Sequence, residues 1–138
     1  MGIGKTFVTT INCMDGRVQI PVNEYLMSKY KVDYVDTITE AGPNKILADA
    51  DNAILVESIK VRYEVSTIKH DSKVVAIVGH YDCGGNTAEE AEQLVQIKKA
   101  CEHVATWNEN VKVIGLWVDE TWAVNEIAWT VTVDEVVS

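Results

Sequence analysis

Residues Val74-Val75-Ala76-Ile77-Val78 form an unbroken apolar run, four of the five β-branched. A strand that is apolar at every position, and not at alternate ones, has to be covered on both faces, as in the centre of a parallel sheet. Three further runs of strand length, at residues 6–12, 32–39 and 111–118, flank this one at 73–79. The segments between them carry helical periodicity. Pro21 suits a first helical turn, and Val22, Tyr25, Leu26 and Lys29 then share a face up to Tyr30. Leu47, Ala50, Ile54, Ser58, Val61, Val65 and Ile68 advance by three or four, predicting one long amphipathic helix. A third helix is expected from Thr87, whose hydroxyl and Glu90 have capping-box spacing, through Leu94, Ile97, Cys101 and Val104. Alternating strands and helices imply right-handed crossovers and an α/β fold of three layers, α/β/α, with a mainly parallel sheet of four strands. Past Asp119, Trp129, Val131 and Val133 alternate with Thr130 and Thr132 and predict an added edge strand.

At 138 residues and without a visible linker or repeat, the chain is expected to form a single domain over residues 1–138. Its net charge of −9 excludes a phosphate-backbone binder, so no nucleic-acid partner is expected. No apolar stretch approaches the roughly 18 residues of a membrane span, and no membrane partner is expected. Three cysteines, Cys13, Cys83 and Cys101, are too few for a disulfide scaffold and fit a reducing, cytoplasmic location. All four tryptophans fall in the last third of the chain, as core filling or as part of a subunit interface.

In open α/β sheets a ligand site lies beyond the carboxyl ends of the strands. The first strand runs into Cys13-Met14-Asp15-Gly16-Arg17, and the third into His80-Tyr81-Asp82-Cys83-Gly84-Gly85. If those strands are neighbours, Cys13, His80 and Cys83 converge. Two thiolates and an imidazole make a three-donor zinc set with a fourth tetrahedral position left open, the mark of a catalytic site. Asp15, two residues after Cys13, is either that fourth donor or an acceptor for water on the metal. Arg17 is placed to pair with the Asp15 carboxylate in two-pronged fashion and hold it as acceptor. Zinc lowers the pKa of its water to about 7, so the expected reaction is hydroxide attack on a small electrophile. Cys101 and His103 form a C-x-H pair, but Cys101 lies on an apolar stripe and is read as core. Asp82 is read as a capping or solvent-facing carboxylate, and His70 as a cation at a helix end.

These residues resemble the β-class carbonic anhydrases, whose signatures are C-x-D-x-R and H-x-x-C on a Rossmann-like sheet. The likeness extends to Ile77-Val78-Gly79 before His80 and to the later Val113-Ile114-Gly115-Leu116-Trp117-Val118, in order and spacing. It implies a zinc lyase (carbonate dehydratase) interconverting carbon dioxide and bicarbonate, built as a homodimer or higher homo-oligomer. Carried over by position, Cys13, His80 and Cys83 bind zinc, and Asp15 with Arg17 forms the gating pair. Two alternatives stand beside it: a zinc hydrolase of carbon disulfide or carbonyl sulfide, and a non-catalytic zinc protein in which Asp15 permanently completes the coordination sphere. The chain departs from the family at Thr39-Glu40-Ala41-Gly42, where Arg-Asn-Ala-Gly is usual, and in being shorter, without the N-terminal helical arm that wraps a neighbouring subunit.

Overall fold

The computed structural model describes residues 5–129. Strand β1 (Phe7–Cys13) is followed by a 3₁₀ turn (Gly16–Val18), helix α1 (Gln19–Tyr30) and strand β2 (Tyr34–Glu40). Helices α2 (Pro43–Asp49) and α3 (Ala53–Glu64) lead through a π turn (Val65–Lys69) to β3 (Val74–His80). Helix α4 (Glu90–Ala105), β4 (Lys112–Val118) and β5 (Val124–Trp129) complete the described chain. The sheet has the order β2-β1-β3-β4-β5, parallel except for β5. The expected α/β architecture, four parallel strands plus an edge strand, is therefore observed.

All seven residues of β3 are buried, as its composition demands. The pleat sends successive side chains to opposite faces and makes two cores. Ile11, Val75 and Ile77 face Leu47, Ile59, Tyr63 and Ile97 of α2, α3 and α4. Val8, Ala76 and Val78 face Val22 and Leu26 of α1. Cys101 is part of the first core, and burial pushes its thiol up to about 12, so it packs as a small hydrophobe. Its sequence neighbour His103 turns its Nδ1 to the Leu47 carbonyl instead, 3.0 Å away.

Two expectations need correction. The long helix over 47–68 is two helices and a π turn. Ala50 adopts a left-handed conformation (φ 53) that closes α2, and the Asn52 side chain caps α3 by accepting from the Leu55 N–H. A three- or four-residue spacing runs on through such a break, so periodicity alone does not reveal it. The face is also different: Ile59 and Tyr63 are buried, whereas Ile54, Val61, Val65 and Ile68 are exposed. The third helix starts at Glu90, not Thr87. Gln93 donates to the carbonyls of His80, Asn86 and Ala88 and holds the preceding loop out of the helix. The expected edge strand is present as Val124–Trp129, and the alternating segment at 130–133 lies outside the described residues. His70 acts in a contact that periodicity does not report, its Nδ1 lying 2.6 Å from the Asp36 carboxylate.

The turn into β5 is organised by Asp119, which accepts from the Thr121 hydroxyl and N–H, the Ala123 N–H and the Asn125 amide. These donors, the Thr121 hydroxyl foremost, lower its carboxyl from 3.8 to about 2. A depressed carboxylate stabilises the fold fully above its unfolded value and loses that contribution as pH falls through the folded one. Stability is therefore expected to fall with pH between about 4 and 2, and Asp119→Ala to remove part of that slope, as read by urea unfolding across this range.

Candidate metal centre

The carboxyl ends of β1 and β3 are adjacent in the sheet, and each ends on a donor: Cys13 closes β1 and His80 closes β3. Cys83 follows on a tight loop in which Asp82 takes a left-handed conformation (φ 58). Cys13 Sγ, a His80 ring nitrogen and Cys83 Sγ lie within 4.8 Å of one another, and all three residues are buried. The expected convergence is thus observed.

The geometry suits a metal ion in two respects. The Cys13 and Cys83 sulfurs are 3.8 Å apart and unbridged. Two sulfurs each about 2.3 Å from a tetrahedral zinc stand roughly 3.8 Å apart. The Nδ1–H of His80 donates to the Tyr81 carbonyl at 2.7 Å, which leaves the lone pair on Nε2. That Nε2 is buried without a hydrogen-bond partner. A buried acceptor left unpaired costs about 1–3 kcal/mol, and a metal ion at the cluster would satisfy it.

The electrostatics agree. The Cys13 thiol is driven well below the ordinary range, first because Cys83 donates to it and then because His80 lies beside it; burial opposes both. Cys83 is driven up by the same neighbouring thiolate, so the pair holds one proton between them. For His80 burial opposes the charged form, but the Cys13 sulfur and the Tyr81 carbonyl outweigh it and raise the imidazole. That shared proton is the one a metal ion bound by both sulfurs would displace.

Asp15 is turned onto Arg17. Its Oδ1 accepts from the Arg17 N–H and Nε, and its Oδ2 from Nη2 at 2.6 Å. The guanidinium hydrogen bonds bring the Asp15 carboxyl down to about 2. Arg17 is itself fixed on three sides: Nη1 lies 3.3 Å from the Asp82 carboxylate, Nη2 donates to the Asp82 carbonyl, and the guanidinium stacks 4.6 Å from the centre of the Trp122 ring. Asp82 is largely exposed and joins the pair through Arg17. Glu40, the sequence departure, is bound to Arg62 of α3, and its backbone carbonyl accepts from Met14.

A cavity of about 420 Å³ opens beside Cys83, between Trp117 and the start of α4. Its walls carry Asp82, Glu89, Glu90, Asp119 and Glu120, a lining that disfavours anions and admits neutral molecules. Sequence reasoning missed Trp122 as the seat of Arg17, Gln19 as donor to the Cys13 carbonyl at 2.7 Å, and Gln93 as the tether of the Cys83 loop. Gln19 lies two residues past Arg17, close enough to be suspected; Trp122 has no local signal because Arg17 is distant in sequence, and Gln93 has none because it reaches irregular loop carbonyls that no sequence spacing marks.

A family profile described as "Putative carbonic anhydrase" matches residues 3–128, a span that includes all of these residues. The chain belongs to this putative carbonic anhydrase family. Among solved structures, this β-carbonic anhydrase fold is similar to isoform I from Trichomonas vaginalis at 17% identity and a TM-score of 0.62, covering 92% of this chain and 86% of that one. It is similar to the carbonic anhydrase of Glaciozyma antarctica at 15% identity and 0.59, covering 88% and 81%. A carbon disulfide hydrolase in its apo form shares the fold at 15% identity and 0.56, covering 95% and 82%. A sequence search among curated proteins finds no match.

The loop carrying Cys83 packs tightly on the bend after β2. A Cβ on Gly85 would lie 2.4 Å from the Ala41 carbonyl carbon, and one on Gly42 (φ +66) would lie 2.8 Å from the carbonyl carbon of Gly85. Gly85→Ala is expected to cost about 2 kcal/mol or more, since backbone has to move, and to weaken metal binding through Cys83. Denaturant unfolding with and without added zinc measures both effects; an unchanged midpoint contradicts the close approach.

Proposed function

We propose that the protein is a zinc-dependent carbonic anhydrase, converting carbon dioxide and water to bicarbonate and a proton. The observation that carries this reading is the unpartnered Nε2 of His80 facing two cysteines whose sulfurs have tetrahedral zinc spacing, while the nearby Asp15 is held by Arg17. Cys13, His80 and Cys83 would hold the metal in this reading. Zinc bound there supplies a water acidic enough to ionise near neutral pH.

The chain's own residues do the rest. The Tyr81 carbonyl fixes the imidazole with Nε2 toward the cluster. Arg17, anchored by Asp82 and Trp122, keeps Asp15 ionised and turned onto the guanidinium, where its carboxylate would serve as a hydrogen-bond acceptor that orients water. The acidic cavity wall favours entry of a neutral gas and exit of the anionic product. The tetrameric β-carbonic anhydrases of Sordaria macrospora, which share the fold, support a homo-oligomeric assembly. Among the described residues no helix is long and apolar enough to cross a membrane, and a cytoplasmic location is proposed with the free cysteines as support.

Hydrolysis of carbon disulfide or carbonyl sulfide is the second reading, favoured by the likeness to a carbon disulfide hydrolase. The test presents one zinc-loaded preparation with each gas, following proton release for carbon dioxide and sulfide release for the others. Hydration without sulfide supports the first reading, and sulfide without hydration supports the second. Bound zinc with neither reaction leaves a non-catalytic zinc protein.

A further inference from the structure

Four amide side chains, Asn44 of α2, Asn86 of the loop that carries Cys83, and Gln93 and Gln96 of α4, are all buried. They bond to one another. Asn86 Nδ2 donates to Gln96 Oε1 at 2.7 Å and to Asn44 Oδ1 at 3.3 Å, and Asn44 Nδ2 donates to Gln93 Oε1 at 3.1 Å. Gln93 Nε2 in turn donates to the carbonyls of His80, Asn86 and Ala88. Apolar residues would pack two helices together without the desolvation cost of four amides. A paired amide network does what they cannot: it fixes one arrangement of the segments it joins.

The segments it joins are those that surround the two sulfurs. Asn86 follows Cys83-Gly84-Gly85 directly, and Asn44 lies two residues past Gly42. These two bends touch, since a Cβ on Gly42 would lie 2.9 Å from the Asn86 Cβ. The network also presses on Gly79, next to His80: a Cβ there would lie 2.6 Å from Asn44 Nδ2 and 3.1 Å from Gln93 Oε1. In this arrangement the backbone N–H groups of Gly85 and Asn86 hydrogen bond to the Cys83 sulfur, and those of Gly42 and Asp15 to the Cys13 sulfur. Donors on a thiolate withdraw charge from it, so a metal ion that it holds stays the stronger Lewis acid.

We infer, on the basis of the metal-centre reading above, that Asn44, Asn86, Gln93 and Gln96 are positioning residues of that centre, which hold the Gly85 and Asn86 N–H groups on the Cys83 sulfur. The test does not use activity. Cadmium-113 is bound in place of zinc to nitrogen-15-labelled protein, and coupling between the cadmium nucleus and amide protons, carried through N–H···S hydrogen bonds, is read by NMR. In the wild type the amide protons of Gly85, Asn86, Gly42 and Asp15 are expected to couple to the metal. Gln93→Met keeps the side-chain length but removes the amide; it is expected to lose the Gly85 and Asn86 couplings and to retain that of Asp15 on the other sulfur. Gln96→Leu is expected to weaken the same two couplings, and Gln96→Glu, which keeps an acceptor for Asn86 Nδ2, to preserve them. The Gln96 pair decides the matter if Gln93→Met does not fold. Cadmium bound by the wild type without coupling to Gly85 and Asn86 overturns the inference, as do couplings that Gln93→Met and Gln96→Leu leave unchanged. Loss of the Asp15 coupling together with the others gives the amides a general structural role and also overturns it. A wild type that binds no cadmium overturns the metal-centre reading itself, and this inference with it.

Discussion

Cys83→Ala is expected to bind zinc more than ~100-fold more weakly than the wild type and to hydrate carbon dioxide no faster than buffer. Loss of even a group that only supports a metal ligand costs 10–100-fold in affinity, and this change removes a donor outright. It also removes the thiol that donates to Cys13, the largest influence lowering that thiol, so the remaining cysteine is a poorer thiolate at neutral pH. Cys13 and His80 alone leave the ion with two protein donors. Cys83 lies in a loop after β3 and outside every helix and strand, so circular dichroism should remain that of the folded protein. Stoichiometric zinc in Cys83→Ala would place the metal elsewhere.

Arg17→Ala separates the donors from the gate. The guanidinium makes its bonds to Asp15 and Asp82 and stacks on Trp122. Removing it releases the Asp15 carboxylate, which is then free to turn toward the cluster that begins two residues before it. Zinc content is expected to stay near that of the wild type while carbon dioxide hydration falls ~100-fold or more, the scale of a lost acid–base partner. Arg17→Lys should not restore it, since an ammonium cannot make the two-pronged contact. The Asp15 carboxyl, now about 2, is expected to move up toward 3.8 in Arg17→Ala, as followed by carbon-13 resonance of its side chain. Zinc lost together with activity would make Arg17 a structural support of the centre, and unchanged activity would remove the pair from catalysis.

The parts of this protein that were legible beforehand are those in which local composition and global position agree. Val74 to Val78 can be apolar throughout only in the middle of a covered sheet, and they lie there. Cys13 and His80 converge because both end neighbouring parallel strands, a relation that follows from topology before any side chain is placed. The α3 region shows the limit. Its spacing pointed to one helix with one apolar face, whereas Ala50 breaks the helix and the aligned residues face outward. Periodicity reports that residues share a face; it does not report whether that face meets the core or solvent. The Thr87 capping pattern gave way to a longer-range demand, the need of the His80, Asn86 and Ala88 carbonyls for the Gln93 amide. Trp122 came to Arg17 from 105 positions away, across the turn that Asp119 organises.

The central claim is that Cys13, His80 and Cys83 hold a catalytic zinc. Its most direct test is zinc content and stopped-flow carbon dioxide hydration, measured on the same purified wild-type protein. The account predicts about one zinc per chain and hydration above buffer that disappears when the metal is chelated and returns with added zinc. Fully loaded protein that hydrates carbon dioxide no faster than buffer would contradict it.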